Sequence, residues 1–315
     1  MIFDKTTSGD EVVRTFAEQV RGKTIVITGP SSGGLGAQTA LCLSQAKPAE
    51  ILLLGRDESK TSSVTEEIKS ISPQTLVKFV HIDLASYSSI RAAVATIDKS
   101  VPEIDILINN AGIMAVTDYT LTPEGIESQF GSNHIGHFLF TNLLMDKILA
   151  AGKGARIINL TSIGHQMSDV RFDDYNFENG KTYDPWLAYG QSKTANILFS
   201  VALAEKLGPK GILSFAAEPG TIYTNLGRNV PPETWPAVLE MAANKGYDFK
   251  LPYKNLNQGA ATTLIAALDP SLEAHSGSYL HDSVIDNTPE YAHDSKLAER
   301  LWALSEKLVG QKFSY

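Results

Sequence analysis

The stretch that decides the fold is Thr28-Gly29-Pro30-Ser31-Ser32-Gly33-Gly34-Leu35-Gly36. A short apolar run precedes it and a segment of helical periodicity follows it, so it connects a strand to a helix. Glycines at such a connection let the backbone turn tightly and approach a pyrophosphate, which binds at the positive amino terminus of the helix. The stretch therefore predicts a dinucleotide site within an α/β fold.

The alternation of strand and helix continues along the chain. Short apolar runs, several of them rich in β-branched residues, are typical of strands buried on both faces of a sheet, and they lie at 24–28, 51–54, 76–82, 104–108, 155–160 and 212–217. Longer segments with a 3.6-residue period separate them. This order predicts a single-domain α/β protein over residues 1–315, a doubly wound, mostly parallel sheet flanked by helices. Ligands of such sheets bind beyond the carboxyl ends of the strands.

Two segments depart from the alternation. Ser8 and Glu11 form a capping-box pattern, which predicts a helix within an amino-terminal extension, residues 1–22. Residues 227–256 contain four prolines together with Trp235 and other large apolar residues. They fit either a small helical lid over a substrate cleft or an ordinary surface excursion, and the sequence leaves both interpretations open.

Composition limits the classes of partner. The 315 residues are 43% hydrophobic and carry a net charge of −8, which argues against nucleic acid or an anionic membrane as the main partner and favours a small molecule. No apolar stretch reaches the roughly 18 residues of a spanning helix, no segment resembles a signal peptide, and no Cys/His spacing indicates a metal site. Cys42, the lone cysteine, is interpreted as inert core. We therefore expect a soluble, cytoplasmic protein.

Polar residues follow several strands on the ligand side of the sheet. Asp83 follows the third strand, and Asn109-Asn110-Ala111-Gly112 follows the fourth. Later, Tyr189-Gly190-Gln191-Ser192-Lys193 places a phenol and an ammonium one helical turn apart, on the same helix face. A nearby ammonium can stabilise a phenolate, so this pair is a candidate for proton transfer.

Through the glycine-rich turn, Asn109–Gly112, Asn133, Ser162, Tyr189 with Lys193, and Pro219-Gly220, the chain closely resembles the short-chain dehydrogenase/reductase superfamily over nearly its whole length. The segments 133–138 and 300–308 resemble its retinol-dehydrogenase and WW-domain-oxidoreductase branch. The resemblance implies that Tyr189 is the general acid or base and that Lys193 lowers its pKa and holds the cofactor ribose. It further implies that Ser162 hydrogen-bonds the reacting oxygen and that Asn133 anchors a water that relays protons to Lys193.

The resemblance also implies a set of cofactor-binding residues: Gly29, Ser31, Ser32, Gly34, Leu35, Gly36, Arg56, Asp83, Leu84, Asn110, Ala111, Gly112, Tyr189, Lys193, Pro219, Gly220, Ile222 and Thr224. Arg56 ends the second strand, where a cation accommodates the 2′-phosphate of NADP(H), so we expect NADP(H). The turn is one residue longer than the usual family pattern, which leaves the separate roles of Ser31, Ser32 and Gly33 open. The loop 163–187 lengthens the spacing from Ser162 to Tyr189. Candidate substrate residues in this loop and elsewhere are Met114, His165, Met167, Tyr183, Trp186, Tyr223 and Trp235.

These observations predict an NADP(H)-dependent oxidoreductase that acts on a ketone or secondary alcohol, most simply as a reductase of an apolar small molecule such as a steroid-like or polyketide-like metabolite. Two alternatives stay open: a cofactor-sensing or scaffolding protein without turnover, and imine reduction or epimerisation at the same site. Dimers, tetramers and monomers are all compatible with the sequence. No metal is expected.

Overall fold

The computed structural model describes residues 3–230, 240, 243 and 254–315. An eight-stranded sheet runs through them in the order β3-β2-β1-β4-β5-β6-β7-β8, and neighbouring strands are parallel except for the last pair, β7 and β8. The strands are β1 Thr24–Thr28, β2 Glu50–Gly55, β3 Leu76–His81, β4 Ile106–Asn109, β5 Arg156–Leu160, β6 Leu213–Ala217, β7 Tyr279–His281 and β8 Val284–Ile285. The predicted doubly wound, mostly parallel fold is confirmed.

Helices cover both faces of the sheet. They are α1 Gly9–Thr15, α2 Leu35–Ser44, α3 Ser62–Ile71, α4 Tyr87–Ser100, α5 Ser128–Phe130, α6 Gly136–Leu143, α7 Met145–Ala151, α8 Pro185–Leu207, α9 Leu256–Leu268, α10 Glu290–His293 and α11 Ser295–Val309. Adjacent residues of β1 point to opposite faces, as Ile25 and Ile27 pack with α1, α2 and α9, whereas Val26 packs with α4, α6 and α8. β1 is therefore buried along its whole length because each of its faces meets a helical layer, whereas in the edge strand β3 only Val80 is buried.

Helix ends are set by side chains that the sequence makes recognisable. Ser8 caps α1 by accepting a hydrogen bond from the Glu11 backbone N–H at 3.2 Å, in the predicted position. Asp184 caps α8, and Pro185 occupies the first turn, where the missing N–H of proline costs no helical hydrogen bond. The cap fixes the start of α8 shortly before Tyr189.

A π-helical turn, Gly131–Ile135, lies between α5 and α6 and carries Asn133. In this turn the Gly136 N–H bonds to the Gly131 carbonyl five residues earlier. The extra residue per turn rotates the side chains of the turn relative to those of an ordinary helix.

Some predictions differ from the structure or lie outside its described part. The fourth strand begins at Ile106 rather than at residue 104, and β7 and β8 were not predicted. Most of the predicted lid, 227–256, including Trp235, lies outside the described residues. Among the helices of the described residues, none is both long and apolar enough to cross a membrane.

Candidate active site

The glycine-rich turn between β1 and α2 depends on glycine for two different reasons. Gly29 and Gly33 have positive φ angles of 71° and 73°, a conformation that residues with a Cβ rarely adopt. Gly36 is required by close approach, because a Cβ there would lie 2.5 Å from Asn110 Nδ2 and 2.6 Å from the Gly29 carbonyl oxygen. Gly33 therefore serves as a turn residue and Gly36 as a contact residue, which the sequence alone left open for Gly33.

The start of α2 has the form expected of an anion site. Gly34 is the N-cap residue in extended conformation, and no side chain of the described residues caps the helix. The first backbone N–H groups of an α-helix lack intrahelical partners, so they can donate to a phosphate. Ser32 N–H donates to the Lys60 carbonyl at 2.9 Å, which ties the turn to the segment after β2.

The ends of β1 and β4 are joined directly. Thr28 Oγ1 accepts hydrogen bonds from the backbone N–H groups of Asn110 and Ala111, both at 3.0 Å. Asn110 Nδ2 donates to the Thr28 carbonyl at 2.7 Å and to the Gly29 carbonyl at 3.1 Å. The predicted cofactor residues Asn110 and Ala111 therefore support the glycine-rich turn. Thr28 was not predicted, although a threonine directly before the first glycine is a usable signal.

The end of β2 carries an exposed cation, Arg56, and a carboxylate, Asp57, that caps the following turn. Arg56 is exposed, whereas Asp57 Oδ1 accepts from the Ser59 backbone at 3.0 Å and from the Ser59 hydroxyl at 2.7 Å. These hydrogen bonds lower the pKa of Asp57 and hold its side chain as the cap of the turn Glu58–Lys60. Lys60 is a second exposed cation beside the glycine-rich turn, with its Nζ 4.0 Å from Asp57 Oδ2, and it was not among the predicted cofactor residues.

Ser162 and Tyr189 meet beyond the carboxyl end of β5. Tyr189 is 3% exposed, and its phenol lies close enough to the Ser162 hydroxyl for the two groups to interact. Burial raises the pKa of Tyr189 to about 12, while the interaction with Ser162 opposes this shift. Ser162 Oγ also accepts from the Gly164 N–H at 3.1 Å, which orients the hydroxyl. The protonated phenol of Tyr189 and the hydroxyl of Ser162 therefore lie side by side.

Lys193 lies one turn along α8 from Tyr189. Its ammonium is 5.6 Å from the centre of the Tyr189 ring and donates to the Leu160 carbonyl at 3.1 Å. Burial lowers the pKa of Lys193 to about 8. In this arrangement burial, rather than Lys193, has the largest effect on the pKa of Tyr189, so the expected lowering of that pKa is not seen.

Asn133 joins three parts of the site. Its Oδ1 accepts from the Ile113 N–H at 2.8 Å, and its Nδ2 donates to the Ile113 carbonyl and to Ser192 Oγ, both at 2.9 Å. Ser192 Oγ in turn donates to the Tyr189 carbonyl at 2.7 Å. The side chain thereby fixes the segment after β4 against α8.

Gly112 leaves space beside Lys193. A Cβ at Gly112 would lie 3.3 Å from Asn133 Oδ1 and 3.6 Å from Lys193 Nζ.

After β3, Asp83 Oδ1 accepts from the Ala85 N–H at 3.0 Å, and the Leu84 carbonyl lies so close to α6 that Gly136 admits no side chain. The residues that follow β1, β3, β4 and β5 therefore all lie at the same edge of the sheet.

The segment after β6 borders the same edge. Gly220 has a φ of 90°, and the Thr224 hydroxyl accepts from the Leu226 N–H at 3.2 Å. Ile222 pairs with Lys254 in a short parallel bridge. Ile222 and Leu35 both approach Gly259 of α9, since a Cβ there would lie within 2.9 Å of each side chain.

The predicted substrate residues fall into different environments. The Trp186 ring stands edge-on to that of Tyr189, with centroids 6.4 Å apart, and Met114 extends towards Gly227. Tyr223 is 76% exposed. Tyr183 instead donates to the Val116 carbonyl at 2.6 Å and packs between Tyr119 and Phe177.

His165 and Met167 are buried rather than arranged along an open wall. The His165 ring packs against Tyr279 with centroids 5.1 Å apart, and its Nδ1 bonds the Ser162 carbonyl at 2.7 Å. Tyr279 belongs to β7, a strand that the sequence did not predict, so this contact could not be foreseen. His165 therefore supports the backbone of Ser162.

Comparison with known proteins places this geometry in a family. A family model described as short chain dehydrogenase matches residues 23–176. Retinol dehydrogenase 13 of Homo sapiens is 38% identical over 294 residues, which span 92% of this chain and 86% of that protein. The chain belongs to the short-chain dehydrogenase family. Short-chain dehydrogenase TIC 32 B, chloroplastic, of Brassica napus is 38% identical over 295 residues, 91% of this chain and 88% of that protein.

Solved structures agree with the family assignment. An uncharacterized protein from Mycobacterium paratuberculosis has a similar structure with a TM-score of 0.72 and 32% sequence identity, over 94% of this chain and 96% of that chain. Retinol dehydrogenases of Mus musculus are 35–36% identical over most of the chain. The sequence prediction of this branch is confirmed.

Members of the short-chain dehydrogenase family are oxidoreductases that use a nicotinamide cofactor, and the residues of this site fit such a cofactor. The uncapped start of α2 offers N–H donors for the phosphates. The side chain that Gly112 lacks would fill the space next to Lys193 Nζ. Among the described residues, Leu160 is the one hydrogen-bond acceptor of that ammonium, so N–H groups remain for ribose hydroxyls.

Proposed function

We propose that this chain is an NADP(H)-dependent reductase of an apolar ketone, which it converts to a secondary alcohol. The observation that carries the proposal is the buried phenol of Tyr189, which lies beside the Ser162 hydroxyl and has the Lys193 ammonium 5.6 Å from its ring. With a pKa of about 12, the phenol is protonated at neutral pH, which is the form needed to donate a proton to a carbonyl oxygen.

The residues of the chain have separate tasks in the proposed reaction. When bound, the cofactor supplies a hydride to the carbonyl carbon. Tyr189 donates its proton to the carbonyl oxygen, and the Ser162 hydroxyl hydrogen-bonds that oxygen as negative charge develops on it. Lys193 holds the ribose and stabilises the phenolate that the transfer leaves behind. Asn133 anchors the water through which Tyr189 is reprotonated.

The proposal for an apolar substrate rests on the surroundings of Tyr189. The Trp186 indole is perpendicular to the phenol ring, and Met114 extends towards Gly227 from the segment after β4. Both side chains favour an apolar partner. Several relatives are named retinol dehydrogenases, so a retinoid carbonyl belongs in the first substrate panel beside cyclic ketones.

The deciding experiment follows NADPH oxidation with a panel of ketones and retinaldehyde. Tyr189→Phe removes the proton donor, and we expect the turnover number to fall by about 100-fold or more. The matched control is Tyr87→Phe, since the Tyr87 hydroxyl bonds the Leu308 carbonyl in the α11 layer, and it should retain wild-type turnover. If NADPH binds but the wild type turns over no carbonyl, a cofactor-sensing function replaces the reductase; product identification separates imine reduction and epimerisation.

The preference for NADP(H) is a separate prediction. Arg56 is an exposed cation at the end of β2, and Asp57 is held as a cap and lies 4.0 Å from Lys60 Nζ, so we propose that the site favours a 2′-phosphate. We expect Arg56→Asp to weaken NADPH binding about tenfold or more and NADH binding much less. Lys69→Asp, a charge change at an exposed position of α3, should leave both affinities unchanged. A wild-type protein that binds NADH more tightly contradicts this assignment.

A further inference from the structure

His137 forms a buried link between the glycine-rich turn and Asn133. It belongs to α6 and is 1% exposed. Its Nε2 lies 2.9 Å from Thr28 Oγ1, and its Nδ1 lies 2.9 Å from the Asn133 carbonyl oxygen. Thr28 ends β1 directly before Gly29, so the imidazole spans from the cofactor side of the sheet to the π-helical turn.

The hydrogen-bond partners determine the tautomer of His137. A carbonyl oxygen only accepts, so Nδ1 must carry the proton that it shares with Asn133. Thr28 Oγ1 already accepts from the Asn110 and Ala111 N–H groups, which uses both of its lone pairs. The Thr28 hydroxyl proton is therefore donated to Nε2 of His137.

A neutral ring is required by this arrangement. A protonated imidazole would direct a second N–H at Thr28 Oγ1, which has no lone pair left to accept it. Burial lowers the pKa of His137 to about 4, and the nearby positive charge of Lys193 acts in the same direction. The ring thus remains neutral at physiological pH.

We propose that neutral His137 is a positioning residue that fixes the Asn133 carbonyl relative to the cofactor turn through the hydroxyl of Thr28. Because Asn133 is assigned the relay water, this inference rests on the proposed function. The path is continuous: the Asn110 and Ala111 N–H groups bond Thr28, Thr28 bonds His137, and His137 bonds Asn133.

The second buried histidine of the same region supplies a matched control. His134 is also fully buried and neighbours Asn133 in sequence, but its Nε2 bonds Ser305 of α11 at 2.9 Å. It therefore faces away from the cofactor turn. Replacing either ring with phenylalanine retains an apolar side chain of similar size and removes its hydrogen bonds.

The experiment compares His137→Phe, His137→Asn and His134→Phe in steady-state NADPH oxidation. We expect His137→Phe to lower kcat about tenfold or more, with KM for the ketone and Kd for NADPH changed less than about threefold. His134→Phe should keep kcat within about threefold of wild type. His137→Asn should recover only part of the lost kcat: Asn142 on the same helix shows that an asparagine can donate to the carbonyl four residues earlier, here Phe138 at 2.8 Å, but the bond to Thr28 is lost.

A second measurement does not depend on turnover. In ¹⁵N-histidine-labelled protein, the signal that disappears in His137→Phe or His137→Asn should show the neutral tautomer with the proton on Nδ1 at pH 7. If the wild type reduces no carbonyl, the proposed function fails while this signal still tests the tautomer. The inference is overturned by a charged ring or an Nε2–H tautomer, by wild-type kcat in His137→Phe, or by an equal loss in His134→Phe.

Discussion

Burial acts in opposite directions on the two central titratable residues. It raises the pKa of the Tyr189 phenol to about 12 and lowers that of the Lys193 ammonium to about 8. Both shifts disfavour the charged form, because charge is poorly solvated inside the protein. The site therefore holds its proton on the phenol, and the ammonium is retained at a cost in stability.

That cost predicts a particular pH dependence of folding. The pKa of Lys193 is about 8 in the folded protein and 10.5 ordinarily, so between these values the unfolded chain binds more protons. The free energy of unfolding contributed by this residue therefore rises as pH increases from 8 towards 10. Relative to Lys193→Met, we expect the wild type to gain about 2 kcal/mol between pH 7 and pH 9.5 in urea unfolding.

Because every other group that titrates in this range is present in both proteins, its contribution to the free energy of unfolding cancels in the comparison with Lys193→Met. The comparison must stay below pH 10, where the raised pKa of Tyr189 begins to lower stability with the opposite sign. A difference between the two proteins that is constant from pH 7 to 9.5 contradicts the lowered pKa of Lys193.

At the scale of elements, the turn between β7 and β8 is strained. Asp282 and Ser283 form its two central residues and have φ angles of 48° and 71°. Left-handed conformations cost about 1–2 kcal/mol for residues with a Cβ, and tight hairpins of this kind favour Asn-Gly. Ser283→Gly keeps the bond from the Ser283 backbone N–H to Thr262 Oγ1. We expect it to raise the free energy of unfolding by about 1 kcal/mol in urea denaturation.

Ser283→Ala is the control for this turn, because alanine removes the hydroxyl but keeps the Cβ that causes the strain. It should give no gain. Equal stabilities of the glycine and alanine variants would show that the left-handed backbone is not the source of strain.

The elements that the sequence predicted are those with long or repeated signals. Five of the six apolar runs became the strands β1, β2, β4, β5 and β6, which are buried between two helical layers. The run at 76–82 became the edge strand β3, in which Val80 alone is buried. The glycine-rich turn is recognisable because close approach excludes side chains at Gly36. β7 and β8 have three and two residues, too few for a periodic pattern. The π-helical turn has no such signal either, because one extra residue does not change the apolar pattern enough to be read.

In the candidate site, too, some features have a signal in the sequence and others do not. The order and context of Ser162, Tyr189 and Lys193 made them predictable, and the structure brings them together beside α8. The bonds made by His137 and His165 depend on partners that are distant in the chain, Thr28 and Tyr279. Those contacts follow from the packing of the sheet against its helices, which no local pattern records.

At the scale of the whole molecule, the carboxyl-terminal helix α11 closes the layer that carries the site. Trp302 is 3% exposed, and its ring packs against Phe138 of α6 and Phe199 of α8, with centroids 5.0 Å and 6.1 Å apart. Ser305 on the same helix bonds His134 beside Asn133. The helix therefore packs against α6 and against α8, which carries Tyr189.

This packing predicts that α11 is part of the hydrophobic core and contributes to the free energy of unfolding. Trp302→Ala leaves a cavity between α6, α8 and α11, and we expect it to lower the free energy of unfolding by about 3–5 kcal/mol in urea denaturation. Lys307→Ala, at an exposed position of α11, should change it by less than about 0.5 kcal/mol. Because an aromatic ring fills most of the same space, Trp302→Phe should retain more stability than Trp302→Ala. A loss in Trp302→Ala no larger than that in Lys307→Ala would mean that α11 is not part of the cooperative core.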